Sequence, residues 1–368
     1  MPEILLVDDH SQVLSGMRQA THLSREHWTL GWAMDGPGAL EYLGDHQVDV
    51  LVADVGIPGM DGATLLDEVR RRFPDTARIV LSDGADRDAI LSAAGCAQQF
   101  LSKSCDPITL VATLDSILSA RALVQDPQLR AMLGGLDSLP RPPEIYAELV
   151  ALANRSNSTV TDVAQLVERD VSTTAEVLKL VNSSFFALNS EVNSVSRAVT
   201  LLGPKVIQSL VLAGQAFRPA RKLPPGLVAS DLAAEGLRAS KWINTNLASA
   251  GWSEQAIAEL SIAALLYNVG LLTLAANRPS AWAEYARLGS SRPPREAQLS
   301  AFGCTVGRAG GYVLGLWGFH ANIVNAIADQ PIDLDDEAAC AAASPGALAV
   351  AMAHSAAVTD DALAPSGG

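Results

Sequence analysis

Apolar residues in the first third of the chain fall in short runs that alternate with stretches of helical spacing. Ile4–Val7, Trp28–Ala33, Val48–Ala53, Ala77–Leu81 and Gln98–Leu101 have strand length, and a parallel strand buried on both faces reads as a near-continuous apolar run. Between them, His10–Leu23, Pro37–Gly44, Gly62–Arg72 and Asp86–Ala94 read as helices. In Gly62–Arg72, Leu65, Leu66 and Val69 share one face. Asp106-Pro107 opens a last helix, with Asp as its cap and Pro at the first helical position. Five β/α units of this length predict a doubly wound parallel sheet over residues 1–122.

Beyond this point strand signals nearly vanish. The last helix of the first domain is expected to run on into Arg121–Leu133, with Gly134-Gly135 as the break, so that residues 123–137 connect two domains. The Pro-rich Leu139–Pro143 then fixes extended geometry ahead of a helix over Glu144–Ala153. Thr161–Arg169 places Val163, Leu166 and Val167 on one face, and Ser172–Asn182 repeats the arrangement. Ser196–Leu202, Pro204–Phe217, Leu232–Ala248, Gln255–Ala276, Thr305–Leu316, Asn322–Ala328 and Gly346–Val358 continue it between Gly, Pro and Asn breaks. An all-α domain over 138–358 follows, with 359–368 as a tail.

Composition changes this picture little. With 368 residues and 49% hydrophobic residues, two packed cores are within reach. The net charge of −14 argues against nucleic acid as a direct partner through a broad basic face. The acid excess is concentrated early, with 18 acidic against 9 basic side chains in residues 1–122. Arg70-Arg71-Arg72 is the densest basic run in that part and is read as a solvated helix face. Cys96, Cys105, Cys304 and Cys340 are far apart, which suggests neither a zinc site nor a disulfide framework and points to a reduced, cytoplasmic chain. Ala338–Thr359 is uncharged for 22 residues, but its Ala, Ser, Pro345, Gly346 and His354 fit a soluble helix better than a membrane span.

Chemistry gathers at the strand ends. Asp8 and Asp9 follow the first strand, Asp54 the third, Ser82 the fourth and Lys103 the fifth. In an open α/β sheet these carboxyl ends border one crevice. Singly, each residue has a plain explanation as a cap, a turn former or a surface charge. Together, three carboxylates would repel one another unless a cation joined them, and an oxygen-loving ion such as Mg2+ fits that need. Lys103 and the Ser82 hydroxyl could then hold phosphoryl oxygens, leaving Asp54 as a nucleophile able to form an acyl phosphate.

These residues, with the D-x-x-x-P-G-M-D-G run from Asp54, make residues 1–122 resemble a two-component response-regulator receiver domain. The resemblance implies a flavodoxin-like sheet in the order 2-1-3-4-5 and Asp54 as phosphoacceptor. It also implies Mg2+ held by Asp8, Asp9, Asp54 and the Gly56 carbonyl, and Phe100 as the switch aromatic. A sensor histidine kinase is the implied partner. Phosphorylation would draw Ser82 inward, reposition Phe100 and alter the face of the fourth and fifth receiver helices or the 123–137 connector. Asp83 and Ser104 depart from the family pattern, where a small apolar residue and a proline are usual.

The second part resembles the HDOD domain, an output module related to HD-type metal phosphohydrolases. LPRPPEIYAELVAL, VTDVAQLVERDVSTTAEVLKLVNSSFF, VNSVSRAVTLLGPKVIQSLVL and AFGCTVGRAGGYVLGLWGFHANIVNAIADQ carry the likeness. Where HD enzymes have their His-Asp pair, this chain has Tyr267-Asn268, and the other ligand positions fall near Ala239, Val306 and Gln330. The segment has only two histidines, His320 and His354, so no metal is expected there. His320 is read as a cap or a surface residue, Tyr267 and Asn268 as packing or as a bond to a helix N–H, Asn182-Ser183-Ser184 as a structural helix end, and Phe185, Phe186 and Trp317 as core. The expected function is a response regulator, not an enzyme, whose phosphorylation switches contacts with an output protein; a cyclic-dinucleotide signalling enzyme is one candidate class. Neither direct nucleic-acid contact nor a membrane is expected, and homodimerisation stays open. The alternatives are a nucleotide-binding output and a cyclic-dinucleotide phosphodiesterase.

Overall fold

The computed structural model describes residues 1–10, 27–82, 96–103, 105–136, 148, 152, 159–182, 192–203, 223–289 and 294–363. The expected helices His10–Leu23 (beyond its first residue), Asp86–Ala94 and Pro204–Phe217, the segment Leu139–Pro143 and most of Glu144–Ala153 lie outside these residues. So do Asp83, Ser104, Ser183, Ser184, Phe185 and Phe186. The chain divides into two compact units, one essentially Met1–Asp137 and the other most of the chain from Ser138 onward.

The first unit holds five parallel strands, β1 (Glu3–Val7), β2 (Thr29–Ala33), β3 (Val50–Asp54), β4 (Ala77–Ser82) and β5 (Gln99–Ser102), in the order β2-β1-β3-β4-β5. This is the expected flavodoxin-like sheet. Every residue of β3 and β4 is buried, as central strands covered on both faces must be. The register pairs Val7 with Ala53, Asp54 with Leu81, and Ser82 with Ser102. Three helices begin on aspartate caps, which accept backbone N–H groups left without partners in the first turn. Asp35 caps α1 (Gly36–Asp45), Asp61 caps α2 (Gly62–Arg72), and Asp106 caps α3 (Pro107–Arg121). Leu65, Leu66 and Val69 of α2 and Leu110, Leu114 and Ile117 of α3 supply the buried faces.

The expected continuation of α3 into Arg121–Leu133 does not form. Pro127 has no N–H to continue a helix, and Asp126 before it caps a new one, α4 (Pro127–Gly134). This helix folds back onto the first unit. Leu129, Leu133 and Leu136 are buried, and Arg130 makes a forked pair with Asp75 at 3.0 and 3.1 Å. The fully buried Arg78 of β4 donates to the carbonyls of Gly134 (2.8 Å), Cys96 (2.7 Å) and Thr76 (3.0 Å). Gln98 donates to Gly134 as well, at 3.0 Å. Residues 123–136 thus finish the receiver unit instead of leaving it.

The second unit is helical throughout its described residues. In order come α5 (Val160–Glu168), α6 (Val171–Val181), α7 (Val195–Leu202), α8 (Ala229–Ser249), α9 (Glu254–Leu266) and α10 (Val269–Asn277). They are followed by α11 (Pro279–Leu288), α12 (Pro294–Phe302), α13 (Val306–Leu316), α14 (Ala321–Ala328), α15 (Glu337–Ala342) and α16 (Pro345–Leu363). α8 packs along α9 and α16. The single helix expected over Gln255–Ala276 is divided at Tyr267-Asn268, where Asn268 becomes the N-cap of α10. Directly after the break, Gly270 lets α10 press on α13: a Cβ there would lie 2.0 Å from the Val306 carbonyl oxygen. Glu254–Asn277 is the stretch among the described residues long and apolar enough to cross a membrane, and two-thirds of its most apolar window is buried within the protein. In α16, Ala347, Val350, Ala353 and Ala357 are buried, so its small side chains serve packing.

Candidate functional site

The carboxyl ends of β1, β3 and β5 bring two carboxylates and one ammonium into contact. Asp54 closes β3, and its backbone is fixed by the Val55 N–H bond to the Leu81 carbonyl (3.1 Å). Lys103, just past β5, donates its own N–H to the Ser82 carbonyl at 3.0 Å. Its Nζ then lies 2.6 Å from Asp54 Oδ2 and 3.1 Å from Asp8 Oδ2. The Asp8 side chain is 1% exposed and that of Asp54 8%, so both are charges largely withdrawn from water. Burial alone would lower the Lys103 pKa, but its contacts with Asp54 and then Asp8 outweigh this and raise it above the ordinary lysine value. The ammonium is therefore held in its charged form between the two acids.

Asp9 is half-buried beside Asp8. Asp8 Oδ2 and Asp9 Oδ1 accept no hydrogen bond, the former meeting Lys103 as an ion pair only. His10 was not singled out in the sequence, yet its Nδ1 lies 2.8 Å from Asp9 Oδ1 and 3.2 Å from Asp8 Oδ1. Asp8, Asp9 and His10 form the group of potential metal ligands found among the described residues. Three ligand-type residues in succession after a strand were the available signal, obscured by reading His10 as a helix start. Adjacent carboxylates on Asp8 and Asp9, in a crevice shared through Lys103 with a third at Asp54, are the oxygen donors a hard divalent cation requires, so the residues present fit Mg2+.

The remaining members flank this centre. Ser82 ends β4 one position beyond the level of Asp54 and is buried. Phe100 is 5% exposed and belongs to the hydrophobic core under the sheet. Gly56 lies beside the Asp54 carboxylate, the position of a Cβ there being 3.5 Å from Oδ2. Gly62 abuts the strand backbone itself, where a Cβ would fall 2.4 Å from the Asp54 carbonyl oxygen.

In the helical unit, the positions matched to HD ligands carry other chemistry. Ala239 is fully buried, and Val306 and Gln330 are each 8% exposed. Asn268 is buried and its side chain caps no N–H, so of the two expected readings packing is the one that holds; its Nδ2 has no hydrogen-bond partner. Tyr267 stacks on His354 with ring centroids 3.6 Å apart, and burial followed by the nearby Glu235 charge pushes its pKa up to about 12. His354, which the sequence left without a role, is buried, with Nδ1 2.8 Å from Glu235 Oε1 and Nε2 3.0 Å from the Ala264 carbonyl. His320 is the N-cap of α14, its Nδ1 accepting from the Asn322 N–H at 3.4 Å, in keeping with its reading as a cap. Trp317 is buried.

A parallel five-stranded sheet with an acid–lysine crevice, followed by an all-helical unit, is the architecture of a receiver joined to a helical output domain. Comparison with known proteins agrees. A family model for the HDOD domain matches residues 139–331, just over half of the chain, and one for the response regulator receiver domain matches residues 4–115. The chain belongs to the HDOD-domain family and carries a response-regulator receiver domain at its N-terminal end. It is similar to the response regulator GtcR of Aneurinibacillus migulanus, 27% identical over 129 residues, which cover 35% of this chain and 52% of that protein. The chain thus spans about half the length of that relative. Among solved structures it is similar to the receiver domain of an HD domain-containing protein from Pseudomonas fluorescens Pf-5, at 34% identity, 33% of this chain, 89% of that one and a TM-score of 0.31. The MmoQ response regulator of Methylococcus capsulatus str. Bath matches at 21% identity over 62% of this chain and 90% of that one, with a TM-score of 0.48.

Proposed function

We propose that Asp54 accepts a phosphoryl group from a sensor histidine kinase and that the helical domain turns this event into altered contact with a partner protein. The observation that carries the proposal is the 2.6 Å contact between Lys103 Nζ and Asp54 Oδ2, in a crevice shared with Asp8. Lys103 holds Oδ2, so Oδ1 is the attacking oxygen. As the new P–O bond forms, the P–N bond of the phosphohistidine breaks, its electron pair stays on the imidazole nitrogen, and that nitrogen takes up a proton. Lys103 then turns from the carboxylate to a phosphoryl oxygen, and the Ser82 hydroxyl donates to another. Asp8 and Asp9, with Asp54 and the Gly56 carbonyl, would hold Mg2+, which when bound neutralises charge on the phosphoryl oxygens. Withdrawal of Ser82 toward the phosphoryl group opens room for Phe100 to move, changing the receiver surface that a partner meets.

The output is proposed to be non-catalytic. The resemblance puts the His and Asp ligands of an HD hydrolase at or near Ala239, Asn268, Val306 and Gln330, and none of the four binds a hydrolytic metal well. Labelling with acetyl phosphate tests the first half of the proposal. The wild-type protein should take up one acid-stable, hydroxylamine-labile phosphoryl group, and Asp54→Asn should take up none. Undiminished labelling of Asp54→Asn would place the nucleophile elsewhere.

A further inference from the structure

α16 lies beyond the residues matched to the HDOD family, yet it packs along α8, α9 and α14. One buried histidine joins it to two of these helices. His354, 3% exposed, points Nδ1 at Glu235 Oε1 of α8 (2.8 Å) and Nε2 at the Ala264 carbonyl of α9 (3.0 Å). Ala264 belongs to the last turn of α9, where carbonyls are left open by the end of the helix. Gly236, next to Glu235, brings α8 close to that turn: a Cβ there would lie 3.0 Å from the Leu265 carbonyl oxygen and 3.3 Å from that of Ala264. The Tyr267 ring covers the imidazole face, with centroids 3.6 Å apart. The other titratable groups on these three helices have other settings. Arg238 of α8 donates to the Ala357 carbonyl at 3.2 Å, while Asp231 and Lys241 of α8 and Glu254 of α9 are exposed. Glu259 of α9 accepts from Gln255 and Asn322 at 3.0 and 2.7 Å and lies 3.6 Å from His320, and α14 itself carries no titratable side chain.

Both partners of the His354 ring are acceptors. A neutral imidazole carries one N–H and can serve only one of them, leaving a nitrogen lone pair 2.8 Å from a carboxylate oxygen. The docked arrangement therefore holds one proton between Nδ1 and Oε1 in addition to the N–H on Nε2. A carboxylic acid is the stronger acid, so that proton belongs on the ring, and the electron-rich face of Tyr267 favours the imidazolium. We propose that α16 is a proton-held latch, docked while the Glu235–His354 contact keeps its proton and released when the proton is lost. Release uncovers Ala347, Val350, Ala353 and Ala357 together with the helices that α16 covers. Once released, the two side chains titrate as ordinary ones, so above about pH 6.5 the released pair holds no proton where the docked pair holds one. Docking then weakens as pH rises, by a factor of about ten per pH unit. The helical domain thereby gains a response to pH separate from Asp54.

Hydrogen exchange on the full-length protein, corrected for intrinsic rates and read on peptides within 345–358, measures the opening of α16. The opening constant should be flat between about pH 5.5 and 6.5 and rise about tenfold per unit from about pH 7 to 9, while α5 and α13 keep their protection. In Glu235→Gln the amide can donate an N–H to a neutral Nδ1, so the contact needs no extra proton. The alkaline slope should disappear in that variant with α16 still docked. If Glu235→Gln does not fold, nitrogen NMR of the wild-type protein labelled at histidine decides. At pH 8 both His354 nitrogens, assigned by their loss in His354→Gln, should carry protons. A neutral His354 ring at pH 8, flat α16 protection through pH 9, the same slope in folded Glu235→Gln, or an equal slope in α5 and α13 would each overturn the latch.

Discussion

Replacing Lys103 by Met removes the cation that lies between two buried carboxylates while keeping the length of the side chain. With contacts of 2.6 and 3.1 Å, the charge pairs are worth about 6 and about 5 kcal/mol at an effective dielectric near 20, before desolvation is subtracted. Loss of one partner from a buried pair typically costs about 3–5 kcal/mol. The destabilisation at pH 7 should therefore be about 3–5 kcal/mol. Amide hydrogen exchange on the full-length protein, read on peptides covering β3 and β5, isolates the receiver from the helical unit. Their slowest amides should exchange roughly a hundredfold faster at pH 7 after correction for intrinsic rates. Saturating Mg2+ should recover much of the protection, since it supplies the missing positive charge. Unchanged exchange in these strands at pH 7, or no recovery of protection with saturating Mg2+, would refute the electrostatic account of the crevice.

Gly270→Ala should lower the melting temperature of the helical unit by about 5 °C or more, because a Cβ 2.0 Å from the Val306 carbonyl forces α10 and α13 apart, at a cost of about 1–3 kcal/mol or above. Gly44→Ala is the matching control: nothing lies within 4 Å of its Cβ position, so a helical alanine should stabilise α1 by about 0.5–1 kcal/mol. Tyr267 has a pKa raised to about 12, so its neutral form adds stability that is complete below pH 10 and lost between about pH 10 and 12, by roughly 2–3 kcal/mol. Urea titrations followed by circular dichroism should show that alkaline decline flattened in Tyr267→Phe.

The receiver half was legible because each of its features is local. The apolar runs of β3 and β4 announce buried strands, Asp61 and Asp106 announce helix starts, and the acids and lysine at strand ends need only the rule that parallel strands share one crevice. His10 escaped notice because its importance comes from the turn after β1, which brings its ring back onto Asp8 and Asp9. In the helical half, periodicity located the strongly amphipathic helices to within a few residues. It missed α11 and α15, which bury one residue and none, and α12, whose only large apolar buried side chain is Phe302, so that proline or aspartate starts were the remaining signals. The split between α9 and α10 was hidden by uninterrupted apolar residues on both sides of Tyr267-Asn268. Directly after the break the backbone packs closely on α13, a contact with a segment almost forty residues away that no local pattern announces.

The docking of α4 narrows how a phosphorylation signal can leave the receiver. Arg78 is the second residue of β4 and Asp54 the last of β3, so α4 is fastened at the opposite end of the sheet from Asp54. Its fastening is strong in kind: Arg78 is fully buried, and the Gly134 carbonyl accepts from both Arg78 and Gln98. Freeing α4 would leave the Arg78 guanidinium with one fewer acceptor in a dry site and would separate the forked Arg130–Asp75 pair, each a cost of about 1–3 kcal/mol. A phosphoryl group at the far end of rigid, fully buried strands offers no differential contact to offset that cost, and a ligand shifts an equilibrium only by such a difference. Residues 123–136 are therefore part of the receiver's body. Among the described residues, the surface near Ser82 and Phe100 is where a phosphoryl group on Asp54 would act directly.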